Sequence, residues 1–357
     1  MAVTRSEDHL PLDRFRPRPK LVVKQTVVDE PRFPVIDAHL HLGPPFGGEW
    51  SQRPVDELLA AMDEARVETV VDLDGGWGED VLDRHLAHFK DRAPERFVHF
   101  GGVDWSCWPS HGDRFGEWAA ERFSSQVRRG AQGLKIWKPF GLHVVDQHDR
   151  LVAVDDERLA PLWEAAGALG APVIIHVADP AAFFDPVDET NERWEELQAQ
   201  PSWRFTSPPF PSFATILEQL ANLVRRHPGT TFIGAHVGCC AEDLSWVGRL
   251  LDECPNFNVD ISARLGELGR QPYTARRFFL EHADRILFGT DADASLAVYQ
   301  LYYRFLETDD EYFNYGLGEL PAQGRWYAYG LYLPRDVLEK VYHRNARRLI
   351  MHEGASA

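Results

Sequence analysis

Cysteine is scarce in this chain, and none of the four, Cys107, Cys239, Cys240 and Cys254, stands in Cys-x-x-Cys spacing. That excludes a zinc knuckle and leaves no pattern for a disulfide framework, so reduced and mostly buried thiols are expected. Positive charge is also short: 38 Lys and Arg face 55 Asp and Glu, for a formal net charge of -17. Nucleic acid and anionic membrane surfaces both select for excess Lys and Arg, so neither is an expected partner. No apolar run approaches the roughly 20 residues of a membrane span. The opening MAVTRSEDHL lacks the apolar region of a signal peptide, and the expected location is the cytoplasm.

Hydrophobic residues make up 44% of the 357 positions, enough for one large core. Residues 1–34 read as an N-terminal extension. Arg14, Arg16, Arg18 and Lys20 interleave with prolines there, and Leu21 to Val28 looks like one or two short strands packed on the exterior of the main body. From Val35 strand and helix alternate. Strands are expected at 35–42, 67–73, 97–103, 131–137, 172–177, 231–236, 257–261 and 285–290. Helices are expected near 54–66, 79–92, 113–129, 157–169, 212–227, 242–253 and 272–283, from apolar residues at helical spacing. Repeated alternation with continuous apolar strands marks a parallel sheet, and eight repeats over 35–357 point to a (β/α)8 TIM barrel. The competing doubly wound sheet lacks support, because no Gly-x-Gly-x-x-Gly follows the first strand.

A barrel places its chemistry at the C-terminal ends of several strands, and the polar residues fall there. In Val35-Ile36-Asp37-Ala38-His39-Leu40-His41-Leu42-Gly43, period-two spacing puts Asp37, His39 and His41 on one face. Two buried imidazoles need a partner, and a divalent ion is the obvious one. The fifth strand ends on His176, the sixth on His236 and the eighth on Asp291. The remaining histidines, His99 among them, lie elsewhere and receive no role.

The set His39-Leu40-His41, His176, His236 and Asp291 resembles the amidohydrolase superfamily of metal-dependent barrels, over about residues 33–350. The stretches Thr231-Phe232-Ile233-Gly234-Ala235-His236-Val237-Gly238 and Ile286-Leu287-Phe288-Gly289-Thr290-Asp291 are similar to those of its amidohydrolase-related branch. That branch includes aminocarboxymuconate-semialdehyde decarboxylase, related non-oxidative decarboxylases and hydrolases. The resemblance implies that His39, His41, His176 and Asp291 bind one divalent ion, that His236 contacts the substrate or the activated water, and that Asp291 also accepts a proton. Three imidazoles and a carboxylate suit zinc best, with manganese, iron and cobalt fitting the same donors. Lys135, in the fourth strand, resembles the lysine that some binuclear relatives carbamylate to bridge two ions, in which case His236 would serve the second metal. Unmodified, it can hold a substrate carboxylate as a cation.

Loops must supply recognition. Two are long, after strands five and eight. Residues 178–211, rich in Pro, Phe and Trp with a helix expected at 188–199, form a candidate lid. The stretch after Asp291 holds nine of the ten tyrosines between Tyr299 and Tyr342, readable as a pocket cap, as helices on the barrel rim or as a homodimer face. Arg264 after the seventh strand suggests an anionic substrate, and Asp74 and Trp105 at the ends of strands two and three are further pocket candidates. The expected function is a metal-dependent hydrolase acting on a small, anionic carbonyl substrate such as a lactone, amide or ester. A metal-dependent non-oxidative decarboxylase of an aromatic or dienoic carboxylate is the alternative, and a non-catalytic binding barrel the remote one.

Overall fold

The computed structural model describes residues 10–44, 49–321 and 323–352. Residues 1–9 of the expected extension and 353–357 of the expected barrel region lie outside them. Eight parallel strands succeed one another in sequence order around a single sheet. They are β1 (Val35–Leu40), β2 (Val67–Asp72), β3 (Phe97–Gly101), β4 (Gly133–Ile136), β5 (Val173–Ile175), β6 (Phe232–Gly234), β7 (Phe257–Asp260) and β8 (Ile286–Leu287). Two hydrogen bonds join the ends of this order: Ala38 N–H donates to Phe288 O at 2.9 Å and Asp291 N–H to His39 O at 2.8 Å. The protein is a (β/α)8 barrel.

Alternation of side chains sorts the core into two layers. Ile36, Val71, Val98, Phe100, Ile174, Ile233 and Leu287 pack against one another, with Ala346 and Ile350. Asn345 on the same terminal helix donates to Ala283 O and Ile286 O at the start of β8, so these residues plug the N-terminal end and leave the C-terminal mouth to polar groups. The larger cluster lies between strands and helices. In Phe213–Arg226 the Ser212 hydroxyl accepts from Thr215 N–H, and Ile216, Leu220 and Val224 recur at helical spacing on a buried face.

Two expectations about strands need correction. Residues 21–28 form no strand. A β-rich sequence needs a free sheet edge, and this barrel closes on itself. The segment is instead tied by its own groups: Thr26 N–H and Oγ–H donate to Asp310, and Lys24 pairs with Asp309. Asp37 does not join His39 and His41 either, because the register of β1 against β2 shifts between Asp37 and Leu40. Its carboxylate accepts from His39 N–H, from Thr290 N–H and Oγ–H, and from Tyr299 OH on the helix Leu296–Glu307. It therefore fastens β1 to the segment that carries Asp291.

His99 and His85 also have a task that spacing did not show. Both Nδ1 atoms donate to Asp72 Oδ2 at the end of β2, at 2.8 and 2.7 Å, and Asp72 Oδ1 accepts Asp74 N–H. Burial alone would raise the Asp72 carboxyl, but the two imidazoles outweigh it and hold it well below the usual range. Burial likewise opposes a charge on His85, and Asp72 outweighs it, so His85 is raised. The depressed Asp72 contributes stability that is present above about pH 4 and lost in acid. The raised His85 contributes stability that is present below about pH 6.5 and lost as pH rises through its folded value. Asp72→Asn should therefore destabilise by roughly 1.5–3 kcal/mol near pH 5–6, with a smaller difference from wild type on either side. Denaturant melts across pH 3–9 check this, and a pH-independent difference would contradict it.

Candidate metal centre

Four strand ends deliver the polar groups of the mouth. β1 brings His39 and His41 with their Nε2 atoms facing the Asp291 carboxylate, at 3.9 and 3.4 Å from Oδ1. His236 Nε2 lies 3.6 Å from Oδ2 of the same carboxylate. His236 is not the last residue of a strand. It comes after β6 in a turn where His236 and Val237 both take left-handed backbone, with φ of 58° and 59°. Ala263 and Asp291 take positive φ as well. Such conformations cost about 1–3 kcal/mol each and persist where the surroundings impose them. Gly234 permits the β6 turn, since a Cβ there would meet Gly238 Cα at 2.7 Å.

The second nitrogen of His39, His41 and His236 is held from behind. His39 Nδ1 donates to Asp260 Oδ2 at 2.9 Å, His41 Nδ1 to Asp74 Oδ1 at 2.7 Å, and His236 Nδ1 to Ser262 O at 2.9 Å. A proton fixed on Nδ1 leaves the Nε2 lone pair free for an ion. Burial, aided by the Lys135 charge, lowers the pKa of His39. Burial also takes His236 well below its ordinary value and His176 to about 4, so these imidazoles are neutral near pH 7.

Separations test the fit. Two donors each about 2.1 Å from one ion stand roughly 3.0–4.2 Å apart, and the three Nε2-to-Asp291 distances fall in that range. The Asp72–His85–His99 group has the same residue types, yet its 2.7 and 2.8 Å separations are those of hydrogen bonds. His176 lines the same cavity as His39, His236 and Asp291. Its buried Nε2 faces Asp179 Oδ1 at 3.4 Å with a geometry too poor for a good hydrogen bond. The donor atoms of His39, His236 and Asp291 all lie within 4.8 Å of one another and fit a divalent ion, whereas His41 and His176 are not part of that group. Lys135 Nζ lies 3.1 Å from His39 Nε2, so its hydrogen bond competes with an ion for one lone pair. Burial lowers that amine to about 8.

The cavity above this cluster measures about 230 Å³. Trp137, Phe183 and Trp203 give it aromatic walls, and Lys138, Asp179, Arg193, Glu196 and Arg264 its charge. Asp179, Phe183, Arg193, Glu196 and Trp203 come from residues 178–211, so that segment lies across the mouth. Sequence reasoning overlooked Asp179, whose one signal was its place three residues after His176. Asp74 is buried behind His41, where it also accepts Leu42 and Gly43 N–H, and does not line this cavity. Trp105 stacks on Phe140 at 4.7 Å, also away from it. Of the tyrosines, Tyr299, Tyr302, Tyr303 and Tyr342 pack around Phe288, as helices on the rim.

The family model described as Amidohydrolase matches residues 36–350. The chain belongs to this amidohydrolase family. Its fold recurs in a 2,6-dihydroxybenzoate decarboxylase from Rhizobium, with 17% identity and a TM-score of 0.55 over 90% of this chain and 98% of that one. An uncharacterised TIM-barrel protein from Bordetella bronchiseptica has 18% identity and a TM-score of 0.54, over 89% and 98%. A dihydroxybenzoic acid decarboxylase from a Polaromonas species, with bound manganese and the inhibitor 2-nitroresorcinol, has 16% identity and a TM-score of 0.54, over 89% and 96%. At these identities the likeness is one of fold. No curated protein matches the chain by sequence.

Asp74→Asn should weaken divalent-metal binding by about 10–100-fold while the fold persists, because it loosens the support of His41. Trp105→Ala should leave that affinity unchanged. Competition with a chromophoric chelator measures both, and equal losses in the two variants would contradict the assignment.

Proposed function

We propose that this chain is a metal-dependent enzyme that removes carbon dioxide, without an oxidant, from a small aromatic or dienoic carboxylate. The observation that carries the reading is Arg264. It is 5% exposed and lines the cavity, and its Nη1 donates to Ala263 O. Among the described residues no carboxylate lies within ion-pair distance of it. Glu196 acts on it from farther away, and a substrate carboxylate would supply the close partner that a buried guanidinium needs. Trp137, Phe183 and Trp203 line the same cavity and give it aromatic surface, which suits an unsaturated or aromatic acid.

In this proposal His39, His41, His176 and Asp291 hold one divalent ion, and His236 faces the substrate. When bound, the ion supplies a Lewis acid for the substrate oxygens; manganese in the Polaromonas relative makes it a candidate beside zinc. Arg264 orients the carboxylate. Asp291 accepts the proton of a substrate hydroxyl and returns it to the carbon that loses carbon dioxide, while the electron pair of the broken bond stays with the ring. The aromatic walls and residues 178–211 exclude water.

The sequence alone put hydrolysis first, because water activation asks least of the residues it reveals. The aromatic lining of the cavity and the two decarboxylases among the relatives by fold favour decarboxylation instead. Hydrolysis of a lactone, ester or amide is the second reading, favoured by the placement of His236 beside Asp291, where the pair would deprotonate a water and polarise a carbonyl.

Metal-reconstituted protein offered hydroxybenzoates and dienoic acids alongside lactones, esters and amides should release carbon dioxide from an acid. Asp291→Asn should lower that rate by about 10²–10⁴-fold, and Arg264→Met should raise KM by roughly 10–100-fold. Hydrolytic turnover with no carbon dioxide would establish the second reading in place of the first.

A further inference from the structure

We infer that the substrate carries an apolar substituent, alkyl or aryl, and that a second compartment behind Asp291 receives it; the inference rests on the anionic-substrate reading above. This compartment, of about 280 Å³, is walled by Leu265, Val298, Leu301, Tyr302, Tyr315 and Leu317. It shares Ala263, Asp291 and Gln323 with the cavity over the histidines, so the two meet along one ridge. The composition changes sharply across that ridge. Lys138, Asp179, Arg193, Glu196 and Arg264 all line the first cavity, whereas Asp291 is the sole charged residue on the wall of the second among the described residues. A polar or charged substituent would find no counter-charge there, while an alkyl or aryl group would leave water.

The ridge is built to stand between two spaces. Ala263 and Asp291 both hold positive φ, 54° and 51°, and Tyr302 OH ties them by accepting Ala263 N–H and donating to Thr290 O. The Asp291 side chain is 23% exposed, against 1–3% for His39, His41 and His236, so its carboxylate is reached where its neighbours are enclosed. Gln323 lines both spaces and donates to Ala263 O at 3.4 Å, a long hydrogen bond that a ligand group can displace. A substrate lying across the ridge would place its carboxylate toward Arg264, its reacting carbon at Asp291 and its apolar end among Leu265, Val298 and Leu301.

The test uses manganese-loaded full-length protein and calorimetric titration with 2-hydroxybenzoate and its homologues carrying methyl, ethyl or propyl at ring position 4 or 5. In one of the two series, affinity should rise roughly three- to fourfold per added methylene. Leu301→Trp, and separately Val298→Phe, should bring the ratio of propyl to parent affinity down toward one, with metal content and melting temperature confirming that each variant is folded. If the parent acid binds and neither series gains with length, the second compartment plays no part and the inference is overturned, with the anionic-substrate reading intact. If no acid binds while neutral esters or lactones do, that reading fails and carries this inference with it.

Discussion

A buried imidazole can serve a metal ion only if its other nitrogen is already committed. In this protein the commitment is made by Asp260 on β7 for His39, by Asp74 after β2 for His41 and by the Ser262 carbonyl for His236. Those three contacts set the tautomer and aim three Nε2 atoms at one carboxylate. The rest of the mouth depends on this arrangement. Asp72, His85 and His99 hold the Asp74 turn from below, and Asp37 fastens the Asp291 segment to β1. The site is thus supported in layers, each fixing the groups of the layer above.

The backbone shows where this support does its work. Left-handed residues occur after β6, β7 and β8, at His236 and Val237, Ala263 and Asp291. A β-branched valine there is unusual, and each such residue must be compensated by surrounding contacts. The compensation is visible: His236 N–H donates to Asp260, Ala263 N–H to Tyr302, and Asp291 N–H to the His39 carbonyl. Tertiary hydrogen bonds therefore select a conformation that local propensity disfavours.

How much of this could be read from the sequence depends on the range of each interaction. The eight strands and the polar residues at their ends were legible, because period and alternation are local and a barrel repeats them. The groups behind the histidines were not. Asp260 meets His39 across 221 residues of chain, and no spacing rule links them. Asp74 and Trp105 were expected in the pocket because they end strands, but position along a strand does not say which way the next turn sends a side chain. The Val-rich 21–28 stretch had the composition of a strand and no sheet edge to pair with. Arg264 was legible as a residue near the mouth; its burial with no carboxylate in ion-pair contact among the described residues was visible only in three dimensions.

Under the proposed function a divalent ion sits among His39, His41, His176 and Asp291. Anomalous diffraction at the metal edge, from crystals grown with manganese or zinc, tests it most directly. The account predicts one peak about 2.0–2.2 Å from the Nε2 atoms of His39 and His41 and from an Asp291 oxygen. A metal-soaked crystal with no peak there, or with its peak among Asp72, His85 and His99, would contradict it.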